Sequence, residues 1–414
     1  MEKKRVSRRG FIKLAGAATF GALTGGFPGI ISAQQEEILI GAVHPLSGVV
    51  AEAGGMAVNG LILAVDHVNQ RGGIKSLKGT KLKLLVEDSE SKVEVGGIAA
   101  EKLIRKGVVC LTGAFQNAVT LNVARIADRN KIVFVNDIST MDDLTHQGFK
   151  YTFRVFPNLS RLMETGMTGV VEIAKQSNKP IKTTVVVHVS ELTGKIVSDL
   201  FIKKTEERGE PWKILKRISY PENPMSLAGE IREAKELKPD SLFAVCRLRD
   251  AIMLVEEMYK QRFDVNGIFG VVSSGHADPS YLKQGKLSEY TFNITPWHDE
   301  IGEKAKKIAQ EYETRFKKPF NMNGSYAYDA IMVIADALER AGSVDKDDLR
   351  KALLATKLEN KTSIGGAIEF DQYGDNKNAK SGLMQIQGGK SKIVYPPEFA
   401  TAKVIFPVPS WDKR

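Results

Sequence analysis

The chain has 414 residues, 43% of them hydrophobic and 26% charged, with a formal net charge of +10. Such a length and composition exclude a disordered chain and leave room for two domains with sizeable cores. Half of the charge surplus sits in the first 13 residues, and no later Lys/Arg block is interleaved with aromatics, which excludes a nucleic-acid footprint.

The first element is a leader. Residues 6–16, "VSRRGFIKLAG", place Ser7-Arg8-Arg9-Gly10-Phe11-Ile12-Lys13 ahead of a stretch from Leu14 to Ile31 without a charge. The small residues Ser32 and Ala33 follow, then a polar start. A charged region, an apolar region and a small-residue cleavage site make a secretory signal, and the paired arginines match a twin-arginine (Tat) signal. The apolar stretch is broken by Gly16, Gly21, Gly25, Gly26, Pro28 and Gly29, so it is a poor anchor beside the about 20 apolar residues of a bilayer span. No cysteine follows that would take a lipid. The expectation is export through the Tat machinery, cleavage near residue 33 and a soluble periplasmic chain.

After the leader, short apolar runs alternate with amphipathic stretches. Residues 37–43, "EILIGAV", predict a strand, and residues 56–72 a helix with Leu61, Ala64, Val65 and Val68 on one face. "KLKLLVED", "VVCLTG" and "KIVFVND" continue as strands, separated by two helices, the first closed by Gly107. The series restarts at residues 181–190, "IKTTVVVHVS", and runs through "WKILKRISY", "SLFAVCR" and "NGIFGVV" with helices between. Two βαβα series imply two parallel sheets, each covered by helices. The tail alternates less regularly: helices near 299–317 and 324–341, then strands at "GAIEFD" and "GLMQIQGGKSKIVYP". It is expected to return and complete both lobes, giving three crossings. Cys110 and Cys246 lie in separate apolar strands and are expected as two buried free thiols.

Reaction motifs are missing. "HPLSGVVAEAGG" lacks the G-x-G-x-x-G spacing, and there is no P-loop, nucleophile elbow or H-E-x-x-H. The six histidines, at 44, 67, 146, 188, 276 and 298, are scattered singly. "DSESKVE" lacks the glycine and terminal glutamate of a calcium loop, so Asp88, Glu90 and Glu94 read as a solvated helix start suited to the helix dipole. No catalytic residue, metal or cofactor is expected.

"IGAVHPLSG", "NGLILAVDHVNQRGGI" and "LKLLVEDSESKVEVGGIAAEKLI", with "YAYDAIMVIADALERAGS" and "FDQYGD" further on, resemble the periplasmic leucine/isoleucine/valine-type binding proteins of ABC importers. Ser47-Gly48, Asn69, Gly72-Gly73-Ile74 and Asp88 stand at the places that family leads one to expect. The resemblance spans nearly the whole chain after the leader. It implies an α/β type I periplasmic-binding fold, with two doubly wound parallel-sheet lobes joined by three crossovers and a small ligand between them. The expected division is 1–33 signal peptide, 34–155 with 300–378 as lobe 1, and 156–299 with 379–414 as lobe 2.

In open parallel sheets, ligands bind beyond the carboxyl ends of the strands, where helix N-termini suit a carboxylate. The resemblance implies that the turns "TGAFQNAVT" and "VNDISTMDD" hold the ligand, which selects Phe115, Asn117, Ile138, Ser139 and Thr140, with Ser47 beside them. Gln116-Asn117-Ala118 departs from the family's serine run. In amino-acid-binding members a tyrosine and a carboxylate of the second lobe clamp the ligand's ammonium group. Here Thr193 stands where the aromatic is usual, Arg247 follows the strand "SLFAVC", and "VVSSGH", with Ser273, carries no Glu. Either Glu191, Asp137 or Asp250 replaces that carboxylate, or the ligand has no ammonium group; Arg247 is a candidate for a second ligand acid. Trp297 and Tyr326 are candidate apolar walls, with core or hinge packing as the alternative. The implied function is capture of a hydrophobic amino acid or another small apolar or aromatic carboxylate for the membrane subunits of an ABC permease. A periplasmic sensor of the same fold and an α/β hydrolase or transferase using "SSGH" or Asp137 are the rivals.

Overall fold

The computed structural model describes residues 37–272, 274–296 and 302–414, so the leader lies outside the described residues. The first sheet is built from β1 (Ile38–His44), α1 (Ala51–Gln70), β2 (Leu82–Asp88), α2 (Val93–Arg105), β3 (Cys110–Gly113), α3 (Asn117–Arg129), β4 (Val133–Asn136) and β5 (Thr152–Arg154). Its order is β2-β1-β3-β4-β5 and every pairing is parallel. Parallel neighbours need a crossover, and the amphipathic helices supply it. Successive residues alternate between two cores: Ile38, Ile40, Ala42, Cys110, Val133 and Val135 face one side, while Val43, Leu111 and Phe134 face the other. The strands therefore read as continuous apolar runs, because both faces are covered.

The second sheet follows α4 (Leu159–Gln176). It contains β6 (Thr183–Val189), α5 (Leu192–Glu207), β7 (Lys213–Tyr220), α6 (Ala228–Glu236), β8 (Ser241–Val245), α7 (Leu248–Lys260), β9 (Gly267–Gly270), the short α8 (Ser274–Ala277) and α9 (Pro279–Leu282), and β10 (Phe292–Thr295). The chain then returns to the first sheet with α10 (Glu303–Phe316), α11 (Met322–Ala341) and α12 (Lys346–Leu354). It finally adds β11 (Gly382–Gln387) and β12 (Lys390–Tyr395) to the second, giving the order β12-β11-β10-β9-β8-β6-β7. Val185, Val187 and Leu242 pack on one face of this sheet, and Val186, Phe243 and Phe269 on the other. The tail thus completes both lobes, as its position in the sequence led us to expect.

Two details differ from that expectation. β11 is antiparallel to both β10 and β12, so the second sheet is only mainly parallel. Gly388 and Gly389, at φ 60° and 70°, form the two-residue turn between them, and such a turn can only make an antiparallel hairpin. The stretch "GAIEFD" forms no strand and pairs only through the single bridges Leu358–Ile368 and Phe370–Asn376. Elsewhere α1 and α11 cross at a glycine contact: a Cβ on Gly60 would stand 2.2 Å from the Gly324 carbonyl oxygen, so the close approach requires that residue.

The chain crosses between the sheets after β5, after β10 and before β11. Arg154, at the end of β5 and fully buried, donates from Nε to Asp375 Oδ1 at 2.7 Å and meets the same carboxylate through a terminal nitrogen at 2.6 Å. Asn376 donates from its amide nitrogens to the Arg154 and Val155 carbonyls, and Ser381 Oγ to Leu162. Tyr326 Oη donates to the Pro296 carbonyl at 3.2 Å. Two crossing segments are stitched together side by side, and α11 holds the end of the third.

Neither cysteine forms a disulfide; Cys110 lies in β3 and Cys246 directly after β8, both are buried, and burial pushes both thiols up, Cys246 to about 12. Thiolate is the reactive form. The folded protein should therefore leave both unlabelled by a thiol reagent at mildly alkaline pH and label two per chain after denaturation. Rapid labelling of the folded protein, or an intact mass showing a disulfide, would contradict this arrangement.

Candidate functional site

The parallel strands of the first sheet end at one edge, and three loops gather there. The loop after β1 is shaped by Asp88, which ends β2. Its carboxylate accepts from the backbone of Leu46 at 2.8 Å, Ser47 at 3.3 Å and Glu90 at 2.7 Å, and from Ser47 Oγ at 2.7 Å. Burial alone pushes this carboxyl up, but the Ser47 hydroxyl and the backbone donors outweigh it and hold Asp88 below its ordinary value. Asp88 is thus the organiser of this loop and not a solvated helix start. Ser47 is exposed, with its hydroxyl committed to Asp88.

The turn after β3 begins at Gly113, where a Cβ would meet the Val43 carbonyl oxygen at 2.1 Å. Phe115 follows at φ 71°, an unusual conformation for an aromatic residue, and packs half-buried on the first-lobe core. α3 then starts at Asn117 with Gln116 as a cap that makes no side-chain hydrogen bond. Among the described residues, the backbone N–H groups of Asn117 and Ala118 have no partner, so the positive end of the helix is open.

The turn after β4 is the most telling. Asn136 Nδ2 and the Asp137 N–H both donate to the Gly113 carbonyl, at 2.9 and 3.3 Å, which seats this turn against the previous one. Ser139 Oγ donates to Asn117 Oδ1 at 2.7 Å, so two of the sequence-selected residues are each other's partner. The next N–H groups, of Ile138, Ser139 and Thr140, bond to nothing else in the described protein, and neither does the half-buried Thr140 hydroxyl. Ile138 is buried beneath them. From behind, Arg154 donates to the Met141 and Asp142 carbonyls, while Asp142 accepts from the Ser160 amide and hydroxyl at 2.8 and 3.0 Å. A fixed row of three free N–H groups beside a free hydroxyl and an uncapped helix N-terminus can hold one carboxylate.

The second lobe offers less. Thr193 lies exposed in the first turn of α5. Arg247, the cap residue of α7, forks onto Glu191 through Nε at 3.2 Å and a terminal nitrogen, with Glu222 at 3.8 Å. Glu191 pushes this guanidinium still further up, so it stays charged. Of the three carboxylates the sequence offered, Asp250 is buried under the Tyr220 hydroxyl at 3.2 Å and pushed up by burial, and Asp137 is sealed against His44. Glu191 alone keeps some exposure, and it is neutralised by Arg247. Tyr326 is fully buried, its hydroxyl on Pro296 and its ring 4.5 Å from Phe156, which is the hinge packing. Ser273 and Trp297 lie outside the described residues. Among the described residues no group of three or more His, Cys, Asp or Glu could hold a metal, and no helix is long and apolar enough to cross a membrane.

The resemblance pointed to the hydroxyls and backbone groups of the turn at 138–140, but sequence reasoning missed two further groups. Val272, at φ 48° after β9, packs against the cores of both lobes. His44 pairs with Asp137, and no local spacing joins residues so far apart.

The family described as periplasmic binding protein matches residues 37–390. The Leu/Ile/Val-binding protein homolog 8 of Brucella abortus is 22% identical over 385 residues, covering 91% of this chain and 95% of that protein. Among solved structures, the leucine-binding protein LivK of Thermotoga maritima superposes with a TM-score of 0.68 at 24% identity, covering 86% of this chain and 97% of its own. A solute-binding protein of R. palustris in complex with benzoate gives 0.69 at 17%, covering 89% and 98%. These two likenesses concern the fold.

Proposed function

The chain belongs to the periplasmic binding protein family, a family of solute-binding and not catalytic proteins, and from that premise we propose that it captures a small carboxylate with an apolar body and delivers it to an ABC permease. The observation that carries this reading is the row of free N–H groups at residues 138–140 beside the free Thr140 hydroxyl. Ser47, Phe115, Asn117, Ile138, Ser139 and Thr140 form the first-lobe wall; Thr193 and Arg247 belong to the facing one, with Tyr326 at the hinge. The moving bodies are residues 34–155 with 300–378 and 156–299 with 379–414. Closure is driven by the better contacts the ligand makes with both lobes together.

The ligand class follows from the facing lobe. A buried ammonium group needs a carboxylate, and Asp137, Asp250 and Glu191 are each already engaged. Relatives of this fold are named for leucine and isoleucine and, in others, carry benzoate or 3,4-dihydroxybenzoate. The engaged carboxylates favour the second group. Export through the twin-arginine route completes the reading, supported by Arg8 and Arg9 in their sequence context.

Calorimetry with leucine and benzoate tests the ligand class. Benzoate is expected to bind more tightly; tight leucine binding would mean that one of the three carboxylates is released to hold an ammonium group. Thr140→Val keeps the side-chain shape and removes one hydrogen bond to a charged group, a loss of about 1.5–3 kcal/mol, or roughly ten- to a hundredfold in affinity. Unchanged affinity in that variant would remove the turn from the site. For export, Arg8→Lys with Arg9→Lys keeps the charge but not the guanidinium groups, so precursor should accumulate inside the cell. Normal periplasmic levels of that variant would overturn the route.

A further inference from the structure

His44 and Asp137 are both fully buried, and His44 Nε2 stands 2.9 Å from Asp137 Oδ2. Apart from this mutual approach, neither ring nitrogen of His44 and neither oxygen of Asp137 has a hydrogen-bond partner among the described residues. His44 ends β1, and Asp137 is the first residue after β4. In the register of the sheet, Val43 of β1 lies beside Gly113 of β3, and Gly113 beside Asn136 of β4. His44 and Asp137 are the next residues along the two strands that flank β3, and they meet just beyond the point where β3 ends at Gly113.

Net stability is a poor explanation for such a pair. Two desolvated ionisable groups typically do no better than apolar side chains of the same volume, although removing one partner strands the other. The position of the pair is more informative. His44 is followed at once by the Asp88-shaped loop that carries Leu46 and Ser47, and Asp137 by the free N–H groups of Ile138, Ser139 and Thr140. The Asp137 N–H also reaches the Gly113 carbonyl at 3.3 Å, so the middle turn is held between the outer two.

We propose that the His44–Asp137 contact is a positioning device that fixes the spacing between the two outer ligand turns of the first lobe, so that ligand affinity depends on it more than stability does. It rests on the carboxylate reading above only for the word ligand; the coupling of the two turns is a property of the unliganded protein. Neither side chain touches the solute. Each acts through the loop that follows it, and a preset loop spares the ligand the cost of ordering it.

The test uses His44→Leu combined with Asp137→Ala, which roughly conserves the summed side-chain volume and leaves no stranded charge. Amide hydrogen exchange is measured without ligand at Leu46 and Ser47, whose N–H groups bond to Asp88, and at Asp137 and Leu159, whose N–H groups bond to the Gly113 and Thr140 carbonyls, beside the unfolding midpoint and calorimetry with benzoate. We expect faster exchange in both turns, a midpoint close to that of the wild type, and benzoate affinity reduced by about tenfold or more. Asp137→Asn keeps an oxygen for the Nε2 proton and should retain the wild-type exchange pattern, which serves also if the double variant folds poorly. Unchanged exchange in both turns of the double variant would overturn the proposal. So would Asp137→Asn loosening both turns as much as the double variant does. A wild type that binds no carboxylate would defeat the proposed function instead, leaving the exchange comparison to judge the pair.

Discussion

A guanidinium with no access to water is the constraint around which this protein is arranged. Arg154 is fully buried, and a buried charge must be paired and hydrogen-bonded or the fold does not tolerate it. Its partner, Asp375, comes from the returning tail, and its remaining donors go to the carbonyls of Met141 and Asp142. One side chain thus joins the first crossing between the lobes, a tail segment more than two hundred residues away, and the turn that exposes the free N–H groups. Removing one partner of such a pair typically costs about 3–5 kcal/mol, because the other is left uncompensated. The same side chain ties the turn to the crossing segments.

That arrangement explains how the strand-end turns of the first lobe are set with few side chains. The Gly113 carbonyl accepts from Asn136 and Asp137, Ser139 ties to Asn117, and Asp142 caps the start of α4. With those contacts made, the N–H groups of residues 138–140 are left without a partner among the described residues. Unmet donors at a fixed spacing are what a carboxylate replaces water to reach. The facing lobe contributes a different kind of surface, an exposed Thr193 and the Arg247–Glu191–Glu222 cluster, in which one guanidinium faces two carboxylates. Binding strength would come from the first lobe, and choice among ligands from the second.

Much of the fold was legible because both sheets are covered on both faces. Runs such as "LTG" after Cys110 and "VVVHV" have no polar face to explain, and helices of 3.6-residue period lie between them. The stretch "GAIEFD" misled because Ile368 and Phe370 alternate like a strand, whereas the neighbours available to them allow only single bridges. Asp88 misled for a different reason. A carboxylate before a helix suits the dipole, but the four donors from the β1 loop and its own turn compete for it and win. The turn at residues 138–140 was readable through family resemblance. His44–Asp137 and Arg154–Asp375 were not, since such pairs exist only once strand order and crossing segments have been fixed in space.

The central claim is that the first-lobe turns form a cradle for a carboxylate. It is tested most directly by purifying the exported protein from its producing cells, denaturing it, and identifying the released solute by mass spectrometry. The account predicts a stoichiometric small molecule with one carboxylate group and an apolar or aromatic body. A stoichiometric solute with no carboxylate, such as a neutral sugar, would contradict it.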